Sequence, residues 1–264
     1  MPDIFSPPML RLLPLVLLIA AGCSDTPDTP ATTNAERANA LIAQTQSAHR
    51  SDSLDGARLS FLFRGTDYSA QFGDDGQRYA RSGKDALGPF ADTLDARGFR
   101  RTRGSHTDSL PPAAALAAEE ALNSVLYFAL LPRPLTDGAV QPRHLGETRI
   151  GDESYQVLDV TFGREGGGRD WQDRFVYWIH DERHTIDYLA YAFHVNGGGI
   201  RFRQAFGARE VEGVRVQNYR NFAPTDATLS PNDLERLPQL WRAGRLRHLS
   251  DVILDDVRIE RPTD

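Results

Sequence analysis

The residues whose types and spacing could do chemistry are few in this chain. His180-Asp181-Glu182-Arg183-His184 is the densest run of metal-ligating and proton-transferring side chains. It lacks the spacing of a His-Glu-x-x-His helix, which puts two imidazoles on one face for a metal. It falls between two apolar runs, where a charged hairpin turn is expected. The glycine clusters Gly163-Arg164-Glu165-Gly166-Gly167-Gly168 and Gly197-Gly198-Gly199 precede neither Lys-Ser/Thr nor a helix, so they read as positive-φ turns or bulges and not as phosphate loops. No Gly-x-Ser-x-Gly elbow occurs. Lys84 is the only lysine, in a loop flanked by Asp and Gly, without the burial that would ready it for Schiff-base chemistry. For a hydrolase, Asp181 and His184 offer a poor pair with no nucleophile beside them. The expectation is a protein that is not an enzyme and uses no metal or cofactor.

What remains are polar residues embedded in apolar runs: Asp170, Asp173, Asp187, Arg201 and Arg203. Charges in such places must be paired or wet. Arg201 and Arg203 share one face of a strand, opposite Ile200 and Phe202. One reading is an Asp–Arg network that stabilises a sheet. The other is a cavity in which an arginine meets an anionic headgroup or carboxylate, with tyrosines along the wall. That second reading names Tyr127, Tyr188, Tyr191, Arg201 and Arg203 as ligand-binding residues.

The elements that must position these residues are legible from periodicity. Thr33-Asn34-Ala35-Glu36 has the form of a capping box, and Ala38, Leu41, Ile42, Thr45 and Ala48 follow at helical spacing, which predicts a helix over about 34–49. From Leu59 the period becomes two: Leu59, Phe61 and Phe63, then Tyr68, Ala70 and Phe72, with Gly73-Asp74-Asp75-Gly76 turning the chain into Gln77–Arg81. Residues 83–110 read mainly as loop, with one short strand at Gly98–Arg101. Pro111-Pro112 opens a long helix over Ala113–Leu131, ended by Pro132 and Pro134, whose second half is apolar all round and so should be buried. Alternating runs follow at Tyr155–Phe162, Arg174–Ile179, Thr185–Val195, Ile200–Phe206, Val214–Asn221 and Leu249–Ile259, with a short helix at Pro231–Leu237. The fold class is mainly β (α+β): an antiparallel sheet or barrel of about ten or eleven strands, strongly curved and covered by the buried helix. Several strands are apolar on both faces, which a sheet with one wet face would not show.

The N-terminus carries a different message. Arg11 precedes the apolar run Leu12–Ala21, too short to span a bilayer, and Ala20-Ala21-Gly22 leads into Cys23, the only cysteine. This resembles the lipobox of bacterial lipoproteins, in which the cysteine is acylated and becomes the first mature residue. The expected organisation is a signal peptide over 1–22, a Pro- and Thr-rich tether over 23–33, and one domain over 34–262. The membrane is then a partner through lipid on Cys23, and the location is the cell envelope. Ser24 after the cysteine favours the outer membrane over the inner, facing periplasm or surface. A lone cysteine excludes an intramolecular disulfide, and a net charge of −6 argues against a nucleic-acid partner.

Five segments in order, Asn123–Pro132, Leu145-Gly146-Glu147, Tyr177-Trp178-Ile179, Asp187–Tyr191 and Gly198–Arg203, resemble the hallmarks of an uncharacterised bacterial lipoprotein family, a domain of unknown function. That family is similar in architecture to the LolA, LolB and LppX-like lipoprotein carriers. The resemblance implies an open half-barrel closed by helices that holds acyl chains, and hence a hydrophobic, lipid-like ligand. It supplies no catalytic residue. The alternative is an envelope interaction module that binds no ligand, with a packed interior and an exposed apolar patch.

Overall fold

The computed structural model describes residues 33–169 and 171–261. The expected signal peptide, Cys23, most of the expected tether and Asp170 lie outside the described residues. Contacts group the chain from Thr33 onward into one unit.

The first helix, α1 (Asn34–His49), starts on the expected capping box: Thr33 accepts from the Glu36 backbone N–H, and the Glu36 carboxylate takes the Thr33 N–H at 2.7 Å. Both orphan donors of the first turn are thereby satisfied. Ala38, Leu41, Ile42, Thr45 and His49 form its buried stripe. The second helix, α2 (Pro112–Ala129), is initiated by proline and followed by the Pro132–Pro134 region. A 3-10 turn at Pro231–Arg236 runs into the third, α3 (Leu237–Arg242).

Fourteen strands form two seven-stranded antiparallel sheets, so the mainly β reading holds with more strands than the ten or eleven counted from periodicity. One, sheet A, comprises β1 (Arg58–Phe63), β2 (Thr66–Gly73), β3 (Gly76–Asp85), β4 (Gly88–Asp95), β5 (Gly98–Arg103), β6 (His106–Thr107) and β14 (Asp255–Glu260), ordered β14-β1-β2-β3-β4-β5-β6. The other, sheet B, comprises β7 (Val140–Ile150), β8 (Glu153–Phe162), β9 (Arg174–His180), β10 (Ile186–Phe193), β11 (Gly199–Val211), β12 (Val214–Pro224) and β13 (Leu246–Val252) in continuous meander order. Neither sheet closes into a barrel.

Two readings of the sequence are corrected here. Residues 83–110 are mostly strand, not loop, and Lys84 sits in β3 paired with Pro89. The alternation is hidden because one row across β3, β4 and β5 is Arg81–Asp92–Arg101, an ion triad where an apolar row would be expected. The run Leu249–Ile259 is two strands in different sheets, separated at Ile253–Leu254, so the chain leaves sheet B and enters sheet A within it.

The α2 helix is the wedge between the sheets. Leu122, Leu126 and Leu130 pack with Leu59, Phe61, Ala70, Phe72 and Tyr79 of sheet A. Phe128 and Leu131 join α1 against Leu158, Val160, Phe175, Tyr177 and Leu189 of sheet B. The far face of sheet B is covered as well: Leu234, Leu237, Leu240 and Trp241 lie on Val157, Trp178, Ala190 and Phe202. Arg174 ties that cover down through Asp159 at 2.6 Å, the Pro231 carbonyl at 2.6 Å and the Glu235 carboxylate. Covering on both faces explains the strands that are apolar on both sides.

Candidate functional site

Between α2 and the two sheets the packing is incomplete. A chamber of about 650 Å³ opens there, lined by Ala117, Ala121 and Tyr127 of α2, Tyr79 of β3, Phe162 and Phe175 of sheet B, and Tyr191 and Phe193 of β10. Arg201, Arg169, Asp173 and the Gly166–Gly168 loop complete it. Its volume falls within the roughly 300–1,000 Å³ of small-molecule sites. The lining positions of α2 follow from helix geometry: Ala117, Ala121, Ser124 and Phe128 succeed one another at three- and four-residue steps, so one stripe faces the chamber while Leu122 and Leu126 face sheet A. Small alanines on that stripe leave the space open.

The wall is an aromatic cluster. Phe175 stacks on Tyr191 at 5.3 Å between centroids, Phe128 lies 5.1 Å from Tyr191, and Tyr127 lies 5.3 Å from Phe175. The Tyr127 and Tyr177 hydroxyls bond each other at 2.7 Å. Burial pushes both hydroxyls above their ordinary range, and burial also pushes Tyr219 up to about 12. These phenols are therefore neutral, and they bring hydrogen-bonding capacity without negative charge. The loop at the mouth is tightly built: a Cβ on Gly167 would sit 2.2 Å from the Gly163 carbonyl oxygen, so only glycine fits.

The five predicted ligand residues separate. Tyr127, Tyr191 and Arg201 line the chamber, with the Arg201 guanidinium 5.0 Å from the Phe193 ring centre. Arg203 lines an adjoining space of about 180 Å³ that shares Ser124 and Phe128 with the larger one. Tyr188 is on the opposite face of sheet B, stacked on Phe202 and tilted against Trp241. Tyr188 and Tyr191 are three residues apart in regular strand, so alternation along β10 sets them on opposite faces. Simple alternation along β10 groups Ile186 with Tyr188; the bulge between those two residues puts Ile186 with Leu189 and Tyr191 instead.

The acidic candidates belong to local networks. Asp187, in the bulge, accepts from Thr185 at 2.8 Å and Arg183 at 2.9 Å. Asp173 accepts the His194 backbone N–H and contacts its Nδ1, both at 3.2 Å, tying β9 to the loop after β10. The run His180–His184 is a hairpin turn whose His180 Nδ1 accepts two backbone N–H groups and whose Nε2 meets Glu153 at 2.8 Å. Residues that the sequence reading missed are Phe128, Phe175 and Asn221, which read as plain core or strand. Phe128 stood in the all-apolar half of α2, and nothing marked it as a chamber wall.

The chain belongs to a family of unknown function, DUF6503, which matches residues 107–252. No curated protein matches it in sequence. Among solved structures it is similar to a LolA superfamily protein from Nitrosomonas europaea, at 13% identity over 86% of this chain and 94% of that one, with a TM-score of 0.47. A domain assigned to outer membrane lipoprotein sorting from Vibrio parahaemolyticus gives 9% identity, 78% and 100% coverage and a TM-score of 0.43. A DUF1329 family protein from Desulfovibrio piger gives 12%, 78% and 99%, and 0.38.

Proposed function

We propose that this DUF6503 member is a lipid-anchored protein of the cell envelope that holds one hydrophobic, lipid-like ligand between α2 and its two sheets. The observation that carries the reading is the 650 Å³ chamber, walled by Tyr127, Phe162, Phe175, Tyr191 and Phe193. The aromatic wall of that space gains free energy by taking apolar surface out of water, about 25 cal/mol per Å² buried, while Glu120, Asn123, Asp137 and Arg169 make the rest of the lining polar. The polar end of the ligand meets an arginine of β11, Arg201 half-buried at the edge of the aromatic wall or Arg203 in the adjoining space. Anchoring rests on the Ala20-Ala21-Gly22-Cys23 sequence: acyl chains on Cys23 would hold the protein at a membrane durably, at about 0.8 kcal/mol per buried methylene. No described helix is long and apolar enough to cross a membrane. The role is binding, with no residue assigned to bond-making.

Native mass spectrometry of the full protein, extracted gently from membranes, tests the reading. The expected result is a bound lipid released on activation, and acyl mass on the peptide beginning at Cys23. Protein that is ligand-free and takes up no fluorescent fatty acid overturns the binding role; an unmodified Cys23 overturns the anchor.

A further inference from the structure

The smaller space beside the chamber holds an unusual pair. Arg203 on β11 is only 8% exposed, and none of the described carboxylates pairs with it. Its guanidinium lies 3.5 Å from the Phe128 ring centre and 5.4 Å from that of Tyr191, and one terminal nitrogen donates to the Tyr191 hydroxyl at 3.1 Å. Nε of Arg203 is buried without an acceptor. Directly across the strand pair is Asn221 on β12, whose Oδ1 is buried without a donor. Both residues line the same 180 Å³ space, with Ser124, Ser250, Gln217 and Tyr219 around them.

Aromatic faces offset part of the cost of a buried cation, but they leave its in-plane N–H groups unsatisfied and its charge unneutralised. Buried guanidinium groups are normally matched by a carboxylate or phosphate that accepts from the fork. Here the protein supplies the donors, and none of the described carboxylates is there to match them. The Tyr191 hydroxyl accepts from one terminal nitrogen and leaves Nε without an acceptor.

We infer that the space around Arg203 and Asn221 is a carboxylate subsite, which receives the acid group of the ligand while its chain lies along the aromatic wall. This rests on the proposed binding role and narrows its ligand to a singly charged carboxylic amphiphile. Arg64 also borders the space but is exposed to water, so the one buried cation of the lining, Arg203, calls for one negative charge. The 180 Å³ has room for a carboxylate and a few methylenes, whereas a diacyl phospholipid headgroup is too large. Asn221 Oδ1 is completed by a donor on the ligand next to the acid, such as a hydroxyl or amide N–H, or by a water carried in with it.

Calorimetric titration of the full protein with dodecanoate, dodecan-1-ol and butyrate separates the possibilities. The inference predicts that dodecanoate binds about ten- to hundredfold more tightly than dodecanol, as a charge-assisted hydrogen bond to a buried partner implies. Arg203→Met, which keeps bulk against Phe128, should abolish that ratio while dodecanol binding persists. Asn221→Ala gives a second reading without touching the cation: it should preserve the dodecanoate–dodecanol ratio and lower affinity for 3-hydroxydodecanoate relative to dodecanoate. Equal binding of acid and alcohol by the wild-type protein overturns the subsite and leaves the apolar chamber standing. Butyrate binding that Arg203→Met removes, without any dodecanol binding, supports a site for small carboxylates and overturns the lipid role. Binding of none of the three overturns both.

Discussion

Sheets A and B are each seven antiparallel strands, yet they are built on different terms. Sheet B is covered on both faces, by α1 and α2 on one side and the 231–242 segment on the other. Its central strands are nearly continuous apolar runs, such as Phe175–Ile179 with every residue buried. Sheet A packs one apolar region against α2 and then turns ionic along β3–β5, where Asp92 is fully buried between Arg81 at 2.8 Å and Arg101 at 2.6 Å. The family match over residues 107–252 takes in α2 and all of sheet B and leaves β1–β5 and β14 outside it. The chamber follows the same division: most of its lining comes from α2 and sheet B, with Gln77 and Tyr79 the contribution of sheet A. A sheet packed on both faces makes a stiff wall. Against it, a helix stripe of small residues can leave space without collapse.

The strongest way to break this contrast is a cavity in the doubly covered sheet. Phe202 has no exposed surface and touches Trp178, Tyr188 and Trp241. Phe202→Ala should cost about 3–5 kcal/mol in urea unfolding. A loss below 1 kcal/mol would show that the outer cover of sheet B contributes little.

In sheet A the comparable loss should come from charge. Asp92→Ala leaves Arg81 facing Arg101 with only Asp85, 3.8 Å from Arg101, as a remaining carboxylate, and should cost about 3 kcal/mol. Arg97→Ala, whose exposed side chain meets Asp95 at 3.3 Å, should leave stability within error in the same urea assay. Equal effects at the two positions would erase the distinction between buried and surface pairs in this sheet.

A smaller, pH-dependent effect sharpens the join between α1 and sheet B. His49 is buried, its Nε2 accepts the Ile186 N–H at 3.2 Å, and burial, followed by the charge of Arg215, pushes it down to about 3. The unfolded chain therefore binds a proton that the folded chain refuses between about pH 6.5 and pH 3, so stability falls as pH falls through that window. From pH 6.5 to pH 4.5 the His49 share of that loss should be about 2 kcal/mol. His49→Gln should remove this slope, and an unchanged pH profile in the variant would show that the imidazole is not desolvated as described.

Legibility in the sequence followed the same division. The α1 cap, the proline-bounded α2 and the sheet B strands all announce themselves, because apolar periodicity is strong where both faces are buried. Residues 83–110 do not, since Asp92 and Arg101 occupy inward rows that a hydrophobic pattern would fill. At the site, alternation placed Arg201 and Arg203 on one face, opposite Ile200 and Phe202. It also set Tyr188 opposite Tyr191, so naming both for one cavity was the mistake, and it misplaced Ile186 because the β10 bulge is not encoded in any hydrophobic pattern. Asn221 was invisible, since its meaning lies in the cross-strand partner it faces and not in its neighbours along the chain.

The account depends on the space beside α2 being occupied by a guest, and filling it from the helix side tests that with the least disturbance. Ala121 is exposed, lies on the α2 stripe that lines the chamber, and contributes nothing to the sheet A contacts. Titration of a fluorescent fatty acid into the full protein should give saturable one-to-one binding, and Ala121→Trp should weaken it by more than about tenfold while urea unfolding shifts by less than about 1 kcal/mol. Saturable binding of equal strength in both proteins, or none in either, would contradict it.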